Sequence, residues 1–167
     1  MEKKKAETIR SWEIVFPNDA NPQQTMFGGK LMAIMDKTAG IAASRYSRKI
    51  AVTASTEAMD FINPVQVGDR IQTSAKVVWV GRTSMVVKVD VVAENPLSGE
   101  RKPCTSAHFN FVAFDEDNCP TVVPSLLVET KEEKQEYRIA EIIKQQAMER
   151  KKQIRETESS YQRKIKK

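Results

Sequence analysis

The stretch Lys30–Arg48, KLMAIMDKTAGIAASRYSR, has no proline and is dominated by good helix formers, so it predicts one long helix. Leu31, Ile34, Met35, Thr38, Ile41 and Ala42 fall at helical spacing and mark its buried face. The rest of its circumference is also largely apolar, which predicts a helix lying inside the structure. Asp36 stands in the middle of it, where a carboxylate is costly unless paired, hydrogen-bonded or solvated. Gly29, Ala33, Gly40 and Ala43 share its side of the helix, so Asp36 is the one functional group on a strip of small residues. Glycines inside a helix cost about 1 kcal/mol each, and such a strip lets a ligand or another backbone come close. The plainer alternative is an aspartate on a solvent-facing strip.

Outward from the helix the pattern turns to strands. Thr8 to Phe16 reads as a first strand, and PNDANPQQ, 17–24, as a polar loop before the helix. Four β-like runs follow: Ile50 to Ile62, Arg70 to Val80, Thr83 to Glu94, and Pro103 to Phe114. Ile71, Thr73, Ala75, Val77 and Trp79 alternate onto one face, as do Val87, Val89, Val91 and Ala93, and then Phe109, Phe111 and Ala113. Breaks at Gly81-Arg82 and from Asn95 to Gly99 read as hairpin connections. A strand, a buried helix and consecutive antiparallel strands predict an α+β fold with the sheet wrapped round the helix. The boundaries are a domain over 8–124 and a charged helical tail over 125–167, in which Ala140, Ala147, Ile154 and Tyr161 recur every seven residues near Ile143 and Ile165.

The chain of 167 residues suits one domain, and its 40% hydrophobic content excludes a disordered chain. No apolar run reaches the roughly 20 residues of a membrane span, and Met1 to Arg10 lacks the apolar stretch of a secretory signal. Cys104 and Cys119 form neither a disulfide framework nor a zinc pattern. A cytoplasmic protein is the expectation. The net charge of +5 is concentrated in Glu129–Lys167, where 12 Lys and Arg stand against 8 Glu, leaving about +1 for the domain. The clusters at Arg150–Lys152 and Arg163–Lys167 leave open a tail that grips nucleic acid or an anionic membrane, although a solvated tail or one supporting oligomer contacts is the stronger expectation.

Thr25-Met26-Phe27-Gly28-Gly29 leads into the helix, where free N–H groups and the helix dipole favour negative charge. This predicts an oxyanion site for a carbonyl undergoing acyl transfer, or simply a shaped turn. A nucleophile elbow, the metal motifs and phosphate-binding glycine loops are absent from the sequence. The sole histidine, His108, sits in a strand-like segment and reads as structural. Carboxylate chemistry centred on Asp36 remains, with Glu57 and Asp60 as supporting candidates.

PNDANPQQTMFGGKLMAIMDKTAGIAA, then VTASTEAMDFINPVQVGD, then VGRTSMVVKV resemble the acyl-CoA thioesterases of the hot-dog superfamily, in particular the cytosolic acyl-CoA hydrolase type. The resemblance covers Thr8 to Pro124. It implies hydrolysis of acyl-CoA to CoA and a carboxylic acid without metal or organic cofactor, at a dimer interface, in a homo-oligomer that is at least a dimer and by expectation a hexamer built as a trimer of dimers. By motif, Asp36 matches the catalytic carboxylate, Asn21 the loop asparagine contributed by the other protomer, and the Gly28 and Gly29 N–H groups the site for the thioester oxygen. Arg82, Thr83 and Ser84 match the CoA-contacting turn. Asp36 either activates water or attacks directly to give a mixed anhydride. Many relatives carry glycine where Gln24 stands, and some histidine where Phe27 stands. A non-catalytic acyl-CoA-binding regulatory module is the main alternative, and a histidine-dependent dehydratase a further one.

Overall fold

The proline-free stretch forms helix α1, Gly28–Ser47. It begins after Phe27, whose backbone is extended, and ends at Arg48, a left-handed residue (φ 55°) whose N–H bonds the Ser44 carbonyl at 2.8 Å. Lys4 adds a cation at that end, its Nζ donating to the Tyr46 carbonyl at 2.6 Å. The computed structural model describes residues 3–165, the side chains of 160 and 162–165 excepted.

The other elements, in chain order, are β1 (Lys3–Lys4), β2 (Ile9–Ile14), a single 3-10 turn at Pro17–Asp19, β3 (Ile50–Thr56), β4 (Arg70–Val80), β5 (Ser84–Glu94), β6 (Arg101–Phe114), β7 (Ser125–Leu126) and α2 (Lys131–Ile165). Five strands form an antiparallel sheet in the order β2-β4-β5-β6-β3, while β1 and β7 pair in parallel beside it. Helix α1 packs against all five strands of the larger sheet. Ile71, Ala75, Val77, Val87, Val89, Val91, Phe109 and Phe111 line its inner face and are fully buried with Ile34 and Met35 of the helix. Each such side chain contributes about 1.5–3 kcal/mol by leaving water, which is what seats the helix on the sheet.

Two expectations about α1 are corrected. Ile41 is half exposed rather than buried, because it falls at the rim of an arc running through Leu31, Ile34, Met35, Thr38 and Ala42. The helix is covered on one side only, and Met32 and Ile41 face outward from the other. The small strip is filled by the protein itself at Gly40, where a Cβ would meet the Phe111 ring at 3.7 Å, an ordinary contact.

Two β-bulges alter the alternation. In β4 the register shifts between Val77 and Trp79, turning Trp79 to the outer face with Val78, Val86 and Ala140 instead of continuing the inner row. In β3 it shifts between Thr53 and Ser55, and the strand ends at Thr56, six residues short of Ile62. The following segment is held to β6 instead, by Thr105 Oγ1 on the Asp60 carbonyl (2.8 Å) and by Ile62 N–H on the Cys104 carbonyl (2.8 Å).

Helix α2 crosses the outer face. Thr130 and Glu133 form a reciprocal capping box: Glu133 N–H donates to Thr130 Oγ1 (3.1 Å), and Thr130 N–H to Glu133 Oε2 (3.3 Å). Lys76–Glu133 (2.9 Å) and Lys88–Glu136 (2.7 Å) tie its first turns to β4 and β5. Ala140 and Ala147 are buried as the seven-residue stripe predicts. Ile154 and Tyr161 are exposed; the side chains of the Arg163–Lys167 run, Ile165 among them, lie outside the described residues, as do Met1 and Glu2. Among the described residues no helix is long and apolar enough to cross a membrane.

Hydrogen bonds from the Glu129 N–H and the Lys76 ammonium, with a further one from the Thr130 N–H, hold the Glu133 carboxyl at about 2, against an ordinary 4.5. A folded-state value below the unfolded one stabilises above the unfolded value and is lost as pH falls toward the folded one. Thermal unfolding followed from neutrality to about pH 2 is therefore expected to show a stability loss below about 4.5. Glu133→Gln is expected to blunt that loss, and identical acid profiles for the two proteins would refute the assignment.

Candidate active site

Asp36 lies on the flank of α1 beside the edge strand β3, half-buried. Its Oδ1 accepts a hydrogen bond from Thr53 Oγ1 at 2.6 Å, a short, charge-assisted bond. The Thr53 hydroxyl thus fixes the carboxylate, and the second oxygen, Oδ2, has no partner among the described residues. Thr53 was not singled out by the sequence. Within IAVTAST it is one hydroxyl in an alternating run, and only pairing with the helix reveals it.

Asn21 sits in the loop before α1 and organises it. Its Oδ1 accepts from Gln23 N–H (2.9 Å) and Thr25 N–H (3.2 Å), and its Nδ2 donates to Thr25 Oγ1 (2.9 Å). One hydrogen of Nδ2 remains uncommitted among the described residues. Gln24 closes this turn with φ 61°, the left-handed region in which glycine is at ease. Asp19 anchors the loop to the helix through Lys30 (3.0 Å), and its carbonyl accepts Phe27 N–H at 2.8 Å. The Lys30 ammonium and then the Phe16 N–H hold the Asp19 carboxyl below its usual range. Asn21 makes no hydrogen bond to Asp36 in its own protomer.

The Gly28 and Gly29 N–H groups open α1 without a backbone partner among the described residues. Aromatic rings lie close to both: a Cβ on Gly28 would stand 3.2 Å from the Phe61 ring, and one on Gly29 2.5 Å from the Phe27 ring. Gly29 lies seven residues before Asp36 on the same helix side, which is about 10 Å along the axis.

Arg82 and Thr83 form the tip of the β4–β5 hairpin, closed by Gly81 N–H on the Ser84 carbonyl at 2.8 Å. The Arg82 and Thr83 carbonyls are occupied by Val123 N–H (3.0 Å) and Ala113 N–H (2.9 Å), so the tip is rigid. The Arg82 side chain is exposed and has no acidic partner among the described residues. Met85, next to Ser84, is joined through Phe111 to Thr53, two strand spacings or about 10 Å.

Glu57 and Asp60 are not brought to Asp36. Glu57 lies on the outer face, accepting from Asn110 Nδ2 (2.7 Å) and from Arg150 of α2 (3.1 Å). The β3 bulge is the cause: the extra residue puts Ser55 opposite Asn110, whose Oδ1 accepts from Lys144 of α2 at 3.0 Å. Asp60 is exposed and contributes its carbonyl to the Thr105 bond. His108 also faces outward, opposite Lys88, with Nε2 buried and without a partner among the described residues. Burial and then the Lys88 charge push its pKa down. Cys104 is buried, which raises its thiol pKa, and Cys119 is exposed. Among the described residues no group of three His, Cys, Asp or Glu is placed to hold a metal.

The thioesterase superfamily profile matches residues 23–100. An uncharacterized acyl-CoA thioester hydrolase of Bacillus subtilis is 42% identical over 119 residues, covering 71% of this chain and 69% of its own. A hexameric acyl-CoA thioesterase superposes with a TM-score of 0.86 at 35% identity, over 90% of this chain and 97% of that one. An acyl-CoA hydrolase from Staphylococcus aureus, solved with butyryl-CoA, CoA and CoA disulfide, gives 0.83 at 33% identity, over 90% and 92%. With this fold and these relatives, the chain belongs to the hot-dog acyl-CoA thioesterases. The Staphylococcus hydrolase has also been solved with alanine in place of an asparagine, of an aspartate fifteen residues later, and of a threonine seventeen beyond that. Asn21, Asp36 and Thr53 are the same three residue types at the same two intervals.

Because His108 lies in the layer opposite Asp36, His108→Leu is expected to leave catalytic turnover within about twofold. It is also expected to hold or raise stability, since it removes a buried nitrogen without a partner, a penalty of about 1–3 kcal/mol. Steady-state kinetics beside thermal unfolding checks this, and a collapse of kcat in a folded variant would bring the histidine back into the chemistry.

Proposed function

We propose that this protein hydrolyses acyl-CoA to CoA and a carboxylic acid at sites shared between two protomers, each using Asp36 of one chain with Asn21, Gly28 and Gly29 of the other. The observation that carries this reading is the 2.6 Å Thr53–Asp36 bond at the open flank of α1, which leaves one carboxylate oxygen free to work. The separation of the groups argues for sharing. A reacting carbonyl needs its attacking group and its oxyanion donors each about 3 Å away. On one chain Gly29 and Asp36 are about 10 Å apart along the helix, too far to serve the same carbonyl.

The exposed surface supports a second copy on this flank. Strand β3 is a sheet edge, with Ile50 and Val52 half exposed on it, and Met32, Ile41, Phe27 and Phe61 are exposed on and around α1. An apolar edge of this kind is a liability unless paired or covered. The relative solved as a hexamer supports an oligomer, which this reading builds from three such dimers.

In the proposed reaction the Asp36 carboxylate takes a proton from water as the water oxygen bonds to the thioester carbon. The negative charge that develops on the carbonyl oxygen is met by the Gly28 and Gly29 N–H groups at the helix end. Asn21 positions the water through its uncommitted Nδ2 hydrogen. Collapse breaks the carbon–sulfur bond, and the proton held by Asp36 goes to the departing thiolate. The alternative, attack by Asp36 itself to a mixed anhydride that water then opens, uses the same groups. Neither route calls on a metal or organic cofactor. Arg82, Thr83 and Ser84 suit contacts to the CoA portion.

Thiol release from a panel of acyl-CoAs tests the reading. Asp36→Ala and Asn21→Ala are each expected to lose about 10²–10⁴ in kcat, and Thr53→Val a smaller factor of about ten. Reassembling the two inactive variants together is expected to recover roughly a quarter of wild-type activity, since a two-fold interface gives mixed dimers one intact site. No recovery in mixtures that do exchange subunits would place both groups on one chain and overturn the shared site. Binding of acyl-CoA without turnover in the wild type would point instead to a regulatory module.

A further inference from the structure

Helix α2 crosses the outer face of the sheet in one direction. Glu133 pairs with Lys76 of β4 (2.9 Å) and Glu136 with Lys88 of β5 (2.7 Å). Lys144 then reaches Asn110 of β6 (3.0 Å), and Arg150 reaches Glu57, just past the end of β3 (3.1 Å). The contacts run β4, β5, β6, β3, so the helix leaves the sheet over its β3 edge. From Arg150 to Tyr161 is a further eleven residues, an overhang of about 16 Å or three strand spacings. The overhang keeps the pattern of the docked half. Ala140 and Ala147 face the sheet and are buried, while Ile154 and Tyr161 continue their seven-residue stripe and are exposed.

A second uncovered apolar surface lies at the opposite end of β3. Ala51 and Thr53 turn inward, so Ile50 and Val52 turn outward, half exposed, beside their register partners Phe114 and Val112 of β6. The chain's own α2 crosses at Glu57, seven residues or about 20 Å along the strand from Ile50, too far to cover this patch. Antiparallel pairing of β3 with β3 of a second copy sets the Thr56 end of one strand beside the Ile50 end of the other. The overhang that leaves one sheet beyond Thr56 then continues over Ile50 and Val52 of the second copy. Two surfaces that neither chain covers for itself are brought together by the symmetry.

Resting on the shared-site dimer, we propose that the projecting end of α2 is a clasp on a second copy of this chain, with Ile154 and Tyr161 covering its outward Ile50–Val52 patch. Each protomer gives one clasp and receives one, as a two-fold contact demands. The clasp lies on the opposite face of the sheet from Asp36 and touches no reacting group. It acts by holding together the two chains that each site needs, so it ties activity to assembly. A nucleic acid or an anionic membrane suits the overhang less well. Over 148–159 it carries four Lys and Arg against three Glu, without the one-signed charge such a grip needs.

The test uses the full chain carrying Cys119→Ser, since Cys119 is exposed and Cys104 is buried. Ile50→Cys and Ile154→Cys are placed in it singly and together and treated with a short bis-maleimide. A chain-to-chain link on a denaturing gel is expected in the double variant and in a subunit-exchanged mixture of the two single ones, and in neither single variant alone. A double variant that is dimeric yet unlinked would overturn the clasp. So would an Ile154→Cys variant that links to itself as readily, because the stripe would then lie on a second α2. Ile154→Glu with Tyr161→Glu supplies the energetic readout, and both side chains are exposed in their own chain, so its fold is spared. The dimer dissociation constant, from sedimentation and from dilution of activity, is expected to rise about a hundredfold, with kcat at high protein concentration unchanged. An unchanged constant would overturn the clasp. Failure of the shared-site reading is distinguishable, since mixed Asp36→Ala and Asn21→Ala chains would then recover no activity with the clasp intact in both.

Discussion

The seating of α1 on a single antiparallel sheet constrains everything else in this molecule. One curved layer covers only part of a helix, so every residue of α1 is assigned either to the sheet, to the open side or to the boundary between them. A carboxylate cannot go to the first of these without a large desolvation cost. On the second it would be an ordinary surface charge. Asp36 takes the boundary, where Thr53 on the last strand supplies one hydrogen bond and the open side supplies access. The aspartate is therefore held firmly yet left half free, which is what a group that must act on a ligand requires.

On the proposed reading, the same constraint leaves one chain with only part of a site. The helix N-terminus and Asp36 are two turns apart on a rigid rod, and the loop asparagine spends most of its amide on its own turn. Nothing short of unwinding α1 would bring them together within a protomer. A second copy placed antiparallel on the open flank would set the start of one helix against the middle of the other. That would also cover Met32, Ile41, Ile50 and Val52, which are otherwise apolar surface in water. Burial and chemistry thus ask for the same arrangement.

Much of this was legible in the chain, because the helix, the strands and their inner rows follow from spacing and from a consistent period. What was lost lies at the two bulges. A bulge adds one residue, and one residue reverses the face of everything beyond it. Trp79 was read as the end of an inner row and belongs to the outer one. Glu57 was read as a supporting candidate for Asp36, yet the shift after Thr53 sends it under α2 with Asn110. Thr53 itself was passed over because a threonine in a strand carries no local mark of function, and its meaning lies in a contact seventeen residues away in sequence. Ile41 failed for a milder reason: spacing identifies the centre of a buried arc better than its rim.

Helix α2 shows how far the seven-residue stripe can be trusted. At 35 residues it is about 52 Å long, whereas a five-stranded sheet is only about 24 Å across. The helix must outrun its own sheet, and the burial record changes where it does: Ala140 and Ala147 are covered, whereas every described side chain from Met148 to Ser159 is exposed. The docked half rests on small alanines and on lysine–glutamate pairs, each worth a fraction of a kcal/mol to about 1 kcal/mol when partly solvated. The apolar inner core, by contrast, contributes several times that per side chain. The order of strengths runs from α1 on the sheet, to the first turns of α2, to its projecting end. Asp36, the carboxylate of the proposed chemistry, accordingly sits on the element that is hardest to move.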